Sequence, residues 1–200
     1  MPSRPNPVGS WSEYFASMID KPLHPILKRL EPFLPEKGEA LELGAGVGHG
    51  VVFLVDRGLT VTAVDAEPQA CQILRERARS ATVVESRFED VDLPENRFDV
   101  VVAGFSLFFL TAADMADFWP KLISSMKSGC LFAGEFLGMR DDWVAEGYLG
   151  HPEDEIRNLF GGFEILSWEE AERDGKTSMG TDKHWHVNHV VAKLIAQRTI

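Results

Sequence analysis

Apolar positions along this chain follow two periods, and each change of period marks an element boundary. Over residues 10–20, Trp11, Tyr14, Phe15 and Met18 recur at helical spacing, and Ser10 with Glu13 has capping-box spacing. Residues 25–34 carry Ile26, Leu27, Leu30 and Phe33 in the same rhythm, which predicts a second helix. Beyond residue 37 short apolar runs appear: LELG, LTVTAVD, TVVES, FDVVVAG, CLFAGEFLG, FEILSWEE and HWHVNHVVAKLI. These read as seven strands. Helical stretches at residues 49–57, 68–80, 111–129 and 152–160 separate most of them. Gly58 is placed to stop the first, Pro68 to open the second, and Thr111 with Asp114 to cap the third. Gly129 is expected to end that third helix, and Pro120 inside it to kink or break it. Residues 171–183 are polar and read as a loop.

Strands alternating with helices predict an α/β fold, a doubly wound, mostly parallel sheet with helices on both faces. The nearly continuous apolar run VVVAG belongs in the middle of such a sheet. The chain reads as one domain over residues 1–200. Residues 1–9, with three prolines, form a flexible lead-in, residues 10–36 are helical, and residues 37–200 make the α/β core.

The formal net charge of −11 argues against a broad grip on nucleic acid or on an anionic membrane. Arg75, Arg77 and Arg79 spread around their helix and form no stripe. No apolar run approaches the ~20 residues of a membrane helix, and the N-terminus lacks the apolar core of a signal peptide. Cys71 and Cys130 are far apart and fit no metal pattern, so they read as reduced thiols of a cytoplasmic protein.

Candidate chemistry concentrates in EALELGAGVGHG, residues 39–50. Strand, glycine turn and helix in that order build a backbone cradle beside a helix N-terminus, a place suited to a nucleotide-like cofactor. Asp65 ends the second strand, where a carboxylate accepts hydrogen bonds from both hydroxyls of an adenosine ribose. Alone it reads equally well as a helix cap ahead of Glu67 and Pro68; beside the glycine loop the ribose reading leads. The dinucleotide fingerprint needs a small residue where this chain has His49, so the loop does not fit that cofactor.

The spacing E-L-G-A-G-V-G, with the acid closing the second strand, resembles the class I S-adenosylmethionine-dependent methyltransferase family. The resemblance runs from about Glu39 to Leu137, and the order of elements carries it to the C-terminus. It implies a Rossmann-like methyltransferase fold with the last strand antiparallel, and a helical lid over residues 10–36. It also implies S-adenosylmethionine as cofactor, with Gly44, Ala45, Gly46, Asp65 and its neighbour Ala66 around it and Glu42 lining the pocket. By the same resemblance Phe88 and Glu89 meet the adenine, although Phe88 reads equally as core and Arg87 stands where many relatives carry an acid. Gly104 and Phe105 follow the fourth strand at the rim where cofactor and substrate meet, with Ser106 on the substrate side.

The rim sequence AGFSLFFL is not the N-P-P-Y-like motif of enzymes that methylate exocyclic amines of bases or glutamine. With the acidic charge this favours a small-molecule acceptor over DNA. Trp11 and Tyr14 have polar tips suited to a pocket wall. His184 and His186, candidates for the substrate pocket, share one strand face, roughly 6–7 Å apart, with His189 on the other. A metal site would need a third ligand, which no spacing supplies, so no metal is expected. His186, then Tyr14, are the candidate general bases, against a plain structural role for the histidines. The K-H-W-H ending is also similar to methyltransferases of the tellurite-resistance type. Two other readings stay open: a nucleotide-dependent oxidoreductase, and a non-catalytic cofactor-binding module. The protein is expected to be a monomer or a homodimer.

Overall fold

The computed structural model describes residues 9–195. All but the last residue of the expected lead-in lies outside them. The chain begins with two helices, α1 (Trp11–Met18) and α2 (Pro25–Leu30). Ser10 caps α1 by accepting from the Glu13 N–H, and Pro25 opens α2 with a fixed φ. Pro32 carries no N–H, and the expected continuation to residue 34 becomes a 3-10 turn, Glu31–Phe33, that leaves Phe33 exposed.

Strands and helices then alternate: β1 (Gly38–Leu43), α3 (His49–Asp56), β2 (Leu59–Asp65), α4 (Pro68–Arg77), β3 (Thr82–Glu85) and β4 (Phe98–Ala103). There follow α5 (Ala112–Ser125), β5 (Met126–Leu137), α6 (Asp142–Ala145), α7 (Glu153–Leu159), β6 (Phe163–Lys176) and β7 (Asp182–Leu194). Among the described residues seven strands form one sheet in the order β3-β2-β1-β4-β5-β7-β6. The pairs from β3 to β5 are parallel, and β7 runs antiparallel to both of its neighbours. This is the doubly wound, mostly parallel sheet expected, antiparallel last strand included. The chain winds outward from β1 to β3 and then returns to place β4 on the other side of β1. That reversal opens a crevice at the carboxyl ends of β1 and β4, where ligands of such sheets bind.

Alternation along the strands sends side chains to two separate cores. Leu41, Leu43, Val101 and Phe132 pack with Phe118, Trp119, Leu122 and Phe160 on one face. Ala40, Val61, Ala63, Val100 and Leu131 pack with Ile26, Leu30, Val51, Leu54 and Leu74 on the other. Ala40 and Glu42 therefore point toward the second face, as do Ala133 and Glu135.

Three expectations need correction. Helix α5 ends at Ser125, not at Gly129, and strand β5 starts at once. Gly129, at φ +83°, sits where β5 slips register against β4, between the Phe98–Met126 and Val100–Leu131 pairs; it shapes a bulge rather than a helix stop. Pro120 does not break α5, because buried Phe118, Trp119 and Leu122 hold the helix on both sides of the ring. Residues 171–183 are mostly strand: β6 and β7 form a long hairpin joined at residues 177–181. The outer half of β6 is solvated and carries no apolar period, so nothing in its pattern marks it as a strand.

Candidate active site

The crevice is built from the loop between β1 and α3. The backbone N–H groups of Gly44 and Ala45 both donate to the Val64 carbonyl, at 2.8 and 3.2 Å, which pins the loop to the end of β2. Gly44 has φ +70°, and a Cβ there would stand 2.5 Å from the Cβ of Ser106, so the β4 rim and the loop touch. Gly46, at φ +53°, has nothing within 4 Å of where a Cβ would be, and its backbone faces open space. Its N–H donates to Asp65 Oδ2 at 2.8 Å, while the Glu67 N–H donates to Oδ1 at 2.9 Å. Asp65 is thus held in one orientation, yet each oxygen keeps a lone pair for a further donor. Burial raises its pKa, and the backbone donors act the other way.

Glu42 stands beside it at the end of β1, only 8 % exposed. Its carboxylate lies against Gly50, whose missing side chain makes the room. Oε2 is buried without a hydrogen-bond partner. Burial, with the Asp65 charge adding to it, pushes the Glu42 pKa up to about 8.

Helix α1 covers the loop. Phe15 is buried against Val47 and Ala70, with Trp11, Tyr14 and Met18 around it. His49, the residue too bulky for a dinucleotide loop, hydrogen-bonds the Met18 carbonyl through Nε2 at 2.7 Å and so ties α3 to α1. The Tyr14 phenol is raised above its usual pKa by burial and then by the Asp65 charge, which places it beside the crevice. Trp11 reaches across to Phe109, ring to ring at 5.8 Å.

Phe88 stacks on Phe118 at 5.8 Å and also lies near Gly44, so it serves the core and the crevice wall together. Glu89 is engaged by Arg87 at 3.0 Å, so the departure at position 87 acts directly on the residue expected at the adenine. At the β4 rim Gly104 is followed by Phe105 in the left-handed region, φ +46°, and by buried Ser106, whose Oγ lacks a partner. The crevice thus brings together Glu42, Gly44, Ala45, Gly46, Asp65, Ala66, Phe88 and Ser106, with Tyr14 and Trp11 above.

His184 and His186 are not brought there. They share a face, but it is the face of Glu170, Glu172 and Asp174 on β6. His186 is 4 % exposed; its Nδ1 accepts from the Arg140 N–H at 3.1 Å and its Nε2 pairs with Glu170 at 2.6 Å. His184 contacts Asp174 at 2.7 Å and Glu172 at 3.2 Å, and these acids raise its pKa. Between the two histidines, Trp185 points the opposite way and packs on Phe105 at 5.6 Å.

A buried group at this rim escaped the sequence reading. Glu135, 1 % exposed on β5, accepts from the Phe105 N–H at 3.1 Å and pairs with His189 Nδ1 at 2.8 Å. His24, the N-cap of α2, approaches the same carboxylate at 3.6 Å. The available signal was a lone acid inside the apolar run CLFAGEFLG.

The donor set fits an adenosine-bearing cofactor: an oriented carboxylate, an unobstructed glycine backbone and an unpartnered buried carboxyl oxygen lie at one crevice. Among the described residues no three His, Cys, Asp or Glu side chains are grouped to hold a metal, and no helix is long and apolar enough to cross a membrane.

Residues 41–133 match a family model described as a methyltransferase domain. An uncharacterized methyltransferase of Synechocystis is 29% identical over 106 residues, 53% of this chain and 50% of that protein. The chain thus spans about half the length of this curated relative. Among solved structures, TehB from Haemophilus influenzae superposes with a TM-score of 0.74 at 16% identity, covering 92% of this chain and 67% of that one. A 1,6-didemethyltoxoflavin N1-methyltransferase of Burkholderia thailandensis, with that compound and S-adenosylhomocysteine bound, gives 0.68 at 16% identity, covering 96% and 93%. The matched stretch spans the glycine loop, Asp65 and the β4 rim, and the chain has the Rossmann-like fold of these methyltransferase structures.

Proposed function

We propose that this protein transfers a methyl group from S-adenosylmethionine to a small-molecule acceptor by direct displacement. The observation that carries the reading is the Asp65 carboxylate, fixed by two backbone donors beside the open backbone of Gly46. Asp65 and Ala66 would hold the ribose, Gly44 to Gly46 and Glu42 the methionine end, and Phe88 and Glu89 the adenine. Gly104 and Phe105 would separate donor from acceptor, with Trp11, Tyr14 and Ser106 on the acceptor side. When bound, the cofactor supplies an electrophilic methyl group on a sulfonium.

The residues' work is alignment and exclusion of water. Helix α1 seals the loop from above, and in this reading residues 10–36 act as its lid. Phe105, Phe108 and Phe109 give the acceptor side apolar walls, and neutralisation of charge during transfer is favoured in such surroundings. The net charge of −11 disfavours a nucleic-acid acceptor. The Burkholderia enzyme binds a small heterocycle, which supports the same class here. Two buried free thiols, both pushed up in pKa by burial, suit a cytoplasmic protein.

Calorimetric titration with S-adenosylhomocysteine and, separately, NADH tests the reading. Saturable binding of the former is expected. Tight NADH binding without any response to the sulfonium compound or its product would overturn it in favour of an oxidoreductase. Cofactor binding with no methyl transfer to any acceptor would favour a non-catalytic module.

A further inference from the structure

We infer that Glu135 is a positioning residue: its side chain holds Phe105 in a left-handed backbone conformation and so sets the rim between donor and acceptor. The inference rests on the methyltransferase reading and deepens it. Its basis is a bulky residue in a backbone region that glycine prefers, tied to a buried acid on the neighbouring strand. Parallel pairing of β4 with β5 ends at Ala103 and Gly134. Glu135 is the next residue on β5, and on its other side it stands opposite His189 of β7. Phe105, at φ +46°, has left the ladder, and its N–H donates to Glu135 Oε2 at 3.1 Å. Among the described residues Asn96 is the only other non-glycine with such a φ; asparagine adopts it readily, whereas phenylalanine is strained there.

Strain of this kind persists only where the surroundings over-determine the backbone. Here the chain passes directly over the carboxylate, since a Cβ on Gly104 would stand 3.8 Å from Oε2. The carboxylate is itself held. His189 Nδ1 donates to Oε1 at 2.8 Å. His24 stands 3.6 Å away, but its Nδ1 accepts the Ile26 N–H at the start of α2, so it covers the acid without bonding it. An apolar side chain of similar volume would pack in this row, beside Leu131 and Ala133, without desolvating a charge. The acid is costly to packing, and what it adds is a hydrogen-bond acceptor at the strained turn.

That turn has consequences on both sides of the crevice. On the acceptor side the Phe105 ring meets Trp185 at 5.6 Å and Phe108 at 6.3 Å, both nearly perpendicular to it. On the donor side the next residue, Ser106, comes so near the glycine loop that a Cβ on Gly44 would stand 2.5 Å from its own Cβ. A relaxed φ at Phe105 would displace the ring and Ser106 together, because one backbone rotation carries both. Glu135 is itself covered, at 1 % exposure, and acts through Phe105.

The test separates holding a backbone from filling the core. Glu135→Gln keeps an oxygen that can accept the Phe105 N–H, and its amide can donate to His189 in the other tautomer, whereas Glu135→Met keeps no acceptor oxygen. Phe105→Gly takes φ +46° without strain and needs no hold. The full chain is labelled with 5-fluorotryptophan, the Trp185 fluorine signal is identified by its loss in Trp185→Phe, and S-adenosylhomocysteine is titrated by calorimetry. Glu135→Gln is expected to leave the Trp185 signal in place and the affinity within about threefold. Glu135→Met is expected to move that signal toward its position in Phe105→Gly, since the ring leaves Trp185 in both, and to weaken binding about tenfold. Adding Phe105→Gly to Glu135→Met should bring affinity to within about threefold of Phe105→Gly alone. Glu135→Met that folds only together with Phe105→Gly supports the same hold. If Gln and Met at this position behave alike, if glycine in place of Phe105 restores nothing, or if Glu135→Met folds in neither background, Glu135 serves the core. This inference then fails and the methyltransferase reading stands. No binding of S-adenosylhomocysteine by the unaltered chain overturns the underlying reading instead.

Discussion

Replacing Glu42 by glutamine probes the tightest electrostatic constraint at the crevice. The carboxyl is buried at the end of β1 with Oε2 unpartnered, and its pKa is raised from 4.5 to about 8. Between those two values the folded protein keeps a proton that the unfolded chain has released. Stability from this group is therefore fully present below pH 4.5 and is lost as pH rises through about 8. The rise from 4.5 to about 8, at ~1.36 kcal/mol for each tenfold change in proton affinity, corresponds to roughly 5 kcal/mol across the window. Glutamine has nearly the same shape and cannot ionise, so the variant lacks this pH dependence. Urea unfolding of both proteins without ligand, at intervals from about pH 5 to about pH 9, measures the difference directly. The two stability curves should run close at the acid end and separate as pH rises, with the variant the more stable by several kcal/mol at the alkaline end. Other titrating groups are common to both proteins and largely cancel in that difference. Parallel curves, or a variant less stable by a constant amount, would refute the assignment of a proton to Glu42 in the folded state.

Three further outcomes are expected. Asp65→Ala should weaken S-adenosylhomocysteine binding by about 1.5–3 kcal/mol, the scale of hydrogen bonds to a charged group, and unchanged calorimetric affinity in a folded variant would contradict its ribose role. Gly46→Ala should cost about 1 kcal/mol of stability for its positive φ, since no protein atom lies in the way, yet lower that affinity more than tenfold. Full affinity in that variant would move the cofactor away from the loop. Lys183→Met removes a buried partner of Asp141 from between the rings of Trp143 and Trp185, and should lower stability by about 3–5 kcal/mol in thermal unfolding; a loss under about 1 kcal/mol would show that Asp141 is satisfied by its backbone donors alone.

Legibility in the sequence followed the physics of each signal. Strand β2 was readable end to end, because LTVTAVD alternates and closes on an acid that the glycine loop needs. The Thr111–Asp114 cap of α5 was readable too, and both halves of its capping box are made. The far end of α5 was not: Gly129 signals a positive φ, and a helix stop and a β-bulge both require one. The outer half of β6 was hidden because its side chains are mostly solvated and carry no apolar period. The shared face of His184 and His186 followed from strand alternation, but which side of the sheet that face lay on depended on the packing of Trp185 against Phe105. His24, Glu135 and His189 are far apart in sequence and meet only because α2 lies across β5 and β7.

Three carboxylates, Glu42, Asp65 and Glu135, stand at or near the carboxyl ends of β1, β2 and β5, and strand alternation turns all of them toward the face covered by α1 to α4. All three are buried, so each opposes folding unless neutralised or given donors. The structure treats each differently: burial raises the pKa of Glu42, Asp65 accepts two backbone N–H groups, and Glu135 accepts one backbone N–H and faces two imidazoles. None of these arrangements is what packing alone would select, since the surrounding positions are filled by Ala40, Ala63 and Ala133. The small alanines leave room beside the acids. Preorganised charge at a ligand's position is costly to the fold and useful to a reaction. The three divide between the two sides of the crevice: Glu42 and Asp65 flank the glycine loop, whereas Glu135 lies across β4 and holds the backbone of Phe105.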